Sequence, residues 1–361
     1  MKVPFLDERT ILNRRHALAA GSFIGLSAGW GLSRSANAAD GLEPRSDLDS
    51  LYDANVDGAI RDGLKLLISR QNEDGTFQSK QRGQWVGVVS LAGLAFLSRA
   101  VQSGFGEAGQ ALQRAGKYVL SQVQPSGFMS AQGQTSHGPM YDHGFGTLFL
   151  SELYGMDDAL EIRPKLERAV DLIVRTQNDR GGWRYNPAPA DEADLSVTVC
   201  QMMALRAARN AGLGVPKETI DKAVGYVRRS QNADGGYMYQ LHGGASRFPL
   251  TAAAVVALYN AGIYEGREIE AAMDYLKRNM GGNKRIERNN FYFYAHYYSA
   301  QAFWHIGGDA WEGWYGKLKN GLLGLRNAQG GWFDYNSTEY GTAMACLVLN
   351  MPRTVLPIFQ R

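Results

Sequence analysis

The stretch Thr176-Gln177-Asn178-Asp179-Arg180-Gly181-Gly182-Trp183 recurs along the 361-residue chain with small changes. Gln71-Asn72-Glu73-Asp74-Gly75-Thr76-Phe77, Gln231-Asn232-Ala233-Asp234-Gly235-Gly236-Tyr237 and Arg326-Asn327-Ala328-Gln329-Gly330-Gly331-Trp332 match it, and a worn copy runs from Gln122 to Phe128. The starts at 71, 122, 177 and 231 lie 51, 55 and 54 residues apart, and the step from 231 to 326 is 95, close to two periods. A further unit with an eroded motif is therefore expected near Arg278 to Gly282. A fixed period of this length signals stacked supersecondary units.

Ahead of each motif runs an amphipathic segment with apolar residues at helical spacing, such as Ile220, Val224, Tyr226 and Val227 before Gln231. After each motif a polar loop leads into a more evenly apolar stretch, such as Ser196 to Ala208 or Thr251 to Ala261. The first kind predicts an outer helix with one wet face and the second an inner helix covered on most sides. Between them, Asn-x-Asp-Gly-Gly is turn chemistry: glycine supplies positive φ past a helix end, and the aromatic that follows pins the turn by burial. Six such pairs close into a ring, so the expected fold is all-α, an (α/α)6 toroid spanning residues 51 to 361. Closure starts every inner helix at one rim, around a central funnel.

These Gln-x-x-x-Gly-x-Trp repeats resemble those of squalene-hopene cyclases and of the wider terpenoid cyclase and protein prenyltransferase α/α-toroid group, over Leu51 to Leu349. The resemblance implies the toroid and an apolar, isoprenoid-like substrate or ligand. It also implies a proton donor. In squalene-hopene cyclases the Gly-Gly-aromatic turn is followed by Asp-x-Asp-Asp-Thr, whose middle Asp protonates the polyene. Asp194 falls on that donor, Glu192 on the first acid and Ser196 on the threonine, while Leu195 replaces the final acid. Asp194 also suits the N-cap of the inner helix that begins at Leu195. Protein prenyltransferases hold zinc with an Asp, a Cys two residues on and a distant His. Here Cys200 lies six residues after Asp194, so the pattern is absent, and neither a metal nor a cofactor is expected.

In the adjoining unit, Tyr141-Asp142-His143-Gly144-Phe145 opens an inner helix, with His137 just before it. Asp142 and His143 are candidate partners of Asp194, since a histidine beside an acid can orient it or pass protons. Inner-helix N-termini turn partial positive charge to the funnel mouth. The loop cations Arg82, Arg184, Arg247, Lys284, Arg285 and Arg288 are expected there, with Arg184, Arg247 and Arg288 as candidate substrate-binding residues. Unit five is crowded with aromatics from Phe291 to Trp304, of which Tyr294 and Tyr298 are the candidates to line the funnel. Leu356-Pro357-Ile358-Phe359 is an apolar tail expected to dock back on the barrel.

At the other end, Asn13-Arg14-Arg15-His16, an apolar run to Leu32 and Ala36-Asn37-Ala38 make a twin-arginine-type signal over residues 1–38, followed by a lead-in over 39–50. Export to the periplasm is expected. Some sixteen mildly apolar residues fall short of the roughly 20 a spanning helix needs, and nothing later in the chain reaches that length. Taking the leader's Lys2, Arg9, Arg14, Arg15 and Arg34 and its Asp7 and Glu8 from 38 basic and 35 acidic residues leaves 33 of each. Nucleic-acid binding therefore has no electrostatic support. Cys200 and Cys346 fall in units three and six, opposite each other in a ring of six, too far apart for a disulfide. Two other uses of the same funnel stand beside an isoprenoid-processing enzyme: a non-catalytic toroid holding a lipid, peptide or protein, and a polysaccharide lyase or hydrolase.

Overall fold

Every repeat is a pair of helices in the computed structural model, which describes residues 51–79, 82–131, 138–157, 160–279, 291–335 and 337–360. The outer helices are α1 (Ala54–Arg70), α3 (Gly106–Ser121), α5 (Arg163–Arg175), α7 (Lys217–Arg229), α9 (Arg267–Asn279) and α11 (Gly308–Gly324). The inner helices are α2 (Val86–Leu97), α4 (Pro139–Leu153), α6 (Leu195–Asn210), α8 (Phe248–Asn260), α10 (Tyr292–Ile306) and α12 (Thr338–Leu349). The pair α9–α10 occupies the double-length step between two motifs, where the eroded unit belongs; of the eroded motif expected near Arg278 to Gly282, the part from position 280 on lies outside the described residues. Amphipathicity separates the two classes. In α7 only Thr219, Ala223, Val224, Tyr226 and Val227 are buried, a single stripe. In α6 every residue from Leu195 to Leu205 is buried.

Inner helices pack in sequence, α2 on α4, α4 on α6, α6 on α8, α8 on α10 and α10 on α12, and α12 returns to pack on α2 and α1. Ala54–Arg361 is thus a closed ring of six hairpins. The motif explains how neighbours are fastened. In α5's turn the Gln177 amide donates to Gly181 O at 2.9 Å within its own turn and to Thr219 O at 2.9 Å in the first turn of α7. Gln71 does the same to Gly75 and Ala111 of α3, and Gln231 to Gly235 and Glu268 of α9. In the last unit arginine replaces glutamine: Arg326 holds Gly330 O at 3.3 Å and pairs with Asp62 of α1, fastening unit six to unit one.

Glycine is required at one place in the turn. Gly181 has φ +88°, and a Cβ there would overlap the Lys222 carbonyl of the next outer helix. Gly75, Gly127 and Gly235 repeat both features against α3, α5 and α9. Positive φ and a neighbouring backbone in contact exclude any other residue. The aromatic then locks the turn to its own hairpin: Trp183 Nε1 donates to Ile173 O at 2.8 Å and Trp332 Nε1 to Leu322 O at 2.7 Å.

The lumen has a floor. Past α12 the chain makes two short 3-10 turns, Met351–Arg353 packing on α10 and α12, and Pro357–Phe359 packing on α6. Phe359 is fully buried, with its ring 6.0 Å from that of Tyr297 on α10. The apolar tail therefore docks on the barrel as its composition predicts. Phe145 of α4 meets the same Tyr297 edge-on at 6.3 Å. Cys200 and Cys346 are both free and buried, one against Gly144 of α4 and the other against Gly63 of α1.

Candidate active site at the motif rim

Asp194 is the N-cap of α6. Its Oδ1 accepts from Val197 N at 2.9 Å and from Ser196 Oγ at 2.7 Å, satisfying one of the donors a helix start leaves open. The residue is 0% exposed, and its Oδ2 has no hydrogen-bond partner among the described residues. Burial pushes the carboxyl above its ordinary range, opposed by the bonds from Ser196 and Val197 and by Arg184. The protonated form is thereby favoured relative to an exposed aspartate, and the proton belongs on Oδ2, because Oδ1 is already an acceptor twice.

Asp194 has phenols from three units around it. Tyr141, at the start of α4, donates to Ser196 Oγ at 2.7 Å, giving a chain Tyr141, Ser196, Asp194. Tyr185 and Tyr239, from the loops of units three and four, share a short hydrogen bond, and Leu195 N donates to Tyr239 O at 3.0 Å. Tyr141, Tyr226, Tyr239 and Tyr294 all lie within electrostatic reach of Asp194. Each of these hydroxyls titrates far above its usual range, burial being the leading cause, so all remain O–H donors. Above them the guanidinium of Arg184 lies 5.5 Å from the Tyr185 ring and that of Arg247 5.9 Å from the Tyr239 ring. Arg82 instead covers Trp85 at 4.6 Å and Tyr335 at 5.4 Å.

The remaining candidates fall in different places. Glu192 is half exposed on the outer edge, 3.9 Å from Arg184 and 3.5 Å from His242. Asp142 is buried and turned toward α2, accepting from Gly87 N at 2.8 Å as a cap supplied from the next hairpin. His143 accepts from Met129 N at Nδ1, 3.2 Å, while its Nε2 lies 3.1 Å from Ala169 O of α5. Both nitrogens are thus spent on backbone groups on the outer side of α4, and burial lowers its pKa to about 4, leaving a neutral ring. The structure does not bring His143 to Asp194; two residues beyond Tyr141 on a helix is about 200° round the axis. Tyr294 and Tyr298 stand one turn apart on α10 with ring centroids 4.8 Å from each other. Leu195, where the squalene-hopene cyclase pattern has its last acid, is fully buried. His137, Lys284, Arg285 and Arg288 lie outside the described residues. The described residues hold no cluster of three or more metal-ligating side chains, and no helix among them is long and apolar enough to cross a membrane.

Sequence reasoning missed the acid's phenolic surroundings, Tyr141, Tyr185 and Tyr239. A signal was present. Tyr185 and Tyr239 each follow the motif aromatic by two positions and are 54 residues apart, and Tyr141 and Ser196 are 55 apart. Residues one period apart must lie side by side on adjoining hairpins.

No family model matches the sequence, and no curated protein does. Solved structures match the fold over nearly all of their length. A cellobiose 2-epimerase from Spirochaeta thermophila is 13% identical, with TM-score 0.62 over 85% of this chain and 98% of that one. The type II terpene cyclase MstE from Scytonema, in complex with its substrate geranylgeranyl dihydroxybenzoate, is 16% identical, with TM-score 0.56 over 83% and 97%. An inactive variant of the α-1,6-mannanase GH76A of Salegentibacter, in complex with α-1,6-mannotriose, is 7% identical, with TM-score 0.59 over 82% and 99%. The chain is an α/α-toroid of the architecture these enzymes share, and unlike chemistries run on that one scaffold.

Proposed function

We propose that the lumen is an active site in which Asp194 is a general acid acting on an apolar, isoprenoid-type substrate. One observation carries this reading: a buried carboxyl with two donors on one oxygen and the other oxygen bare among the described residues. The donors on Oδ1 stabilise the carboxylate left after proton transfer, which makes the buried acid stronger than burial alone would allow. In the step itself the Oδ2 proton passes to one carbon of an alkene, whose π pair becomes the new C–H bond. Attack on the resulting carbocation by another alkene of the same chain forms a C–C bond and moves the charge along, and the sequence ends when a carbon beside the final cation loses a proton to water, the electrons of that C–H bond closing a new alkene and solvent reprotonating Asp194. Faces of Tyr141, Tyr294 and Tyr298 line its path, and aromatic faces stabilise cations. Arg184 and Arg247 flank the mouth and suit an anionic or polar head group. MstE, named for a prenylated substrate, supports the reading by analogy of fold alone.

The test is conversion of squalene, geranylgeranyl diphosphate and a geranylgeranyl phenol to isomers of unchanged mass, followed by mass spectrometry. Asp194→Asn keeps the helix cap and is expected to abolish conversion; equal conversion by variant and wild type would sink the assignment. A second reading, a toroid that holds its ligand without turnover, draws on the same carboxylate being an N-cap. It is favoured if the ligand is recovered unchanged after long incubation with the wild type. The proposal extends to residues 1–38 as an export signal, with the mature chain beginning at Ala39 and the toroid occupying 51–361. Amino-terminal sequencing of protein recovered from a periplasmic fraction checks it, and an intact Met1 there would refute cleavage.

A further inference from the structure

Hairpin four lays a loop over hairpin three. Residues 238–247 leave their motif turn and return to it: Met238 N donates to Ser230 O at 2.9 Å and Arg247 N to Tyr237 O at 3.1 Å, while Asn232 holds Gly244 O at 3.1 Å and Ser246 Oγ donates to Asp234 at 2.7 Å. Both ends are thus tied to their own unit. The tip, residues 239–243, is folded on itself by Gly243 N on Gln240 O at 3.2 Å, and it reaches across the boundary. Tyr239 O accepts from Leu195 N at 3.0 Å, the Tyr239 hydroxyl bonds that of Tyr185, Gln240 Nε2 donates to Glu192 Oε2 at 3.3 Å, and His242 Nδ1 lies 3.5 Å from Glu192 Oε1. Beneath the tip a gap of about 10 Å³ is all that separates Gln240, Leu241 and His242 from Ala193 and Tyr226. The tip therefore covers the segment that carries Asp194.

We propose that this tip is a lid over Asp194, closed in this structure by a latch on Glu192 and lifted to admit substrate. The inference rests on the reading of Asp194 as the acid and adds the control of access to it. Asp194 is 0% exposed, so a molecule reaches its Oδ2 only after a neighbour moves. Tyr141 and Ser196 belong to inner helices packed into the ring, and shifting either disturbs the core. Lifting the tip breaks one backbone hydrogen bond, one phenol pair and two contacts to a carboxylate that is itself half exposed. Partly exposed polar contacts are individually weak, and segments held by few of them open first. There is room for the movement: Gly243 and Gly244 have φ +113° and +136°, and no atom lies within 4 Å of the Cβ position of either. The amide that the lid leaves behind, Leu195 N–H, is in the first turn of α6, where a helix supplies no acceptor of its own and water takes over.

That amide reports closure, because its acceptor is on the tip, whereas Thr198 N–H, bonded to Asp194 O at 3.1 Å, reports the helix itself. Residue-resolved hydrogen exchange on the empty protein, corrected for intrinsic rates, is expected to be at least about ten-fold faster at Leu195 than at Thr198. Glu192→Ala, which removes both latch contacts, is expected to speed Leu195 a further three- to ten-fold or so and His242→Ala by less, with Thr198 unchanged. Labelling of Asp194 by a water-soluble carbodiimide and an amine, read by peptide mass spectrometry and normalised to the exposed Asp221, should rise in step. Equal protection of the two amides, with no response to either variant, would make the tip a fixed wall and overturn the proposal. Faster exchange at Leu195 without faster labelling of Asp194 would overturn it as well, since the tip would then open without uncovering the acid. Neither measurement uses a substrate, so a protein that converts no prenyl compound retires the acid reading while these results still decide whether the tip is a cover.

Discussion

Phe145 of α4 and Tyr297 of α10 meet edge to face with ring centroids 6.3 Å apart, although their helices stand opposite each other in the ring. The lumen is therefore bridged by side chains at this depth, with Phe359 of the tail closing against the same tyrosine. Phe145→Ala is expected to cost about 3–5 kcal/mol, the usual range for emptying a packed aromatic site. The check is the urea midpoint at constant m-value; a loss under about 1 kcal/mol would mean the rings do not brace one another.

Closure of the ring rests on a different contact from the other joints. Arg326→Gln installs the residue other motifs use, keeping a donor for Gly330 O and losing only the pair with Asp62. Both partners are partly exposed, so that loss is expected below about 1 kcal/mol and shrinks in high salt. Arg326→Ala removes both and costs about 1–2 kcal/mol. Denaturation at low and high salt separates the two variants; identical losses would show the ion pair to be idle.

Asp194 has a folded-state pKa raised above the ordinary 3.8, burial being the main cause. Its contribution to stability is fully present below that value and is lost as pH rises through the raised one. Asn at this position keeps the cap but cannot ionise. Asp194→Asn should therefore match the wild type near pH 3 and become relatively more stable toward pH 7. A variant less stable than wild type at neutral pH would show that the carboxylate is held by partners rather than penalised by burial.

His143 works in the other direction. Its pKa falls from 6.5 to about 4 because the buried ring is costly to charge. Between those values the unfolded chain binds a proton the folded chain refuses, so stability declines as pH falls through this window, by roughly 3 kcal/mol in total. His143→Gln removes that titration and is expected to flatten the acid limb of the stability curve between pH 6.5 and 4, read by denaturant titration. An unchanged slope would contradict a neutral, buried imidazole.

The repeat made the architecture readable before any coordinate. Gln177, Gly181 and Trp183 each have one structural task, and the same tasks at 71, 231 and 326 predict the same joint; the doubled step even reserves room for α9 and α10. The site was less legible because it is assembled between units. Asp194 could be picked out from its loop, but the arrangement that leaves its Oδ2 bare depends on Tyr141 and Ser196, brought together by adjacency of hairpins. His143 misled for a reason of helical phase: near Asp194's partner in sequence, it faces Ala169 on the outside of the inner ring.

The joint between α1 and α12 has a temporal side as well. Arg70, at the end of α1, is held by Glu339, 269 residues later. Until the twelfth helix is made, α1 and α2 expose flanks meant for it, so circularisation waits for translation to finish and pays the loop entropy of almost the entire polypeptide at once. A chain cut short anywhere before Leu349 would be an arc with two adhesive ends, prone to meeting another arc rather than itself.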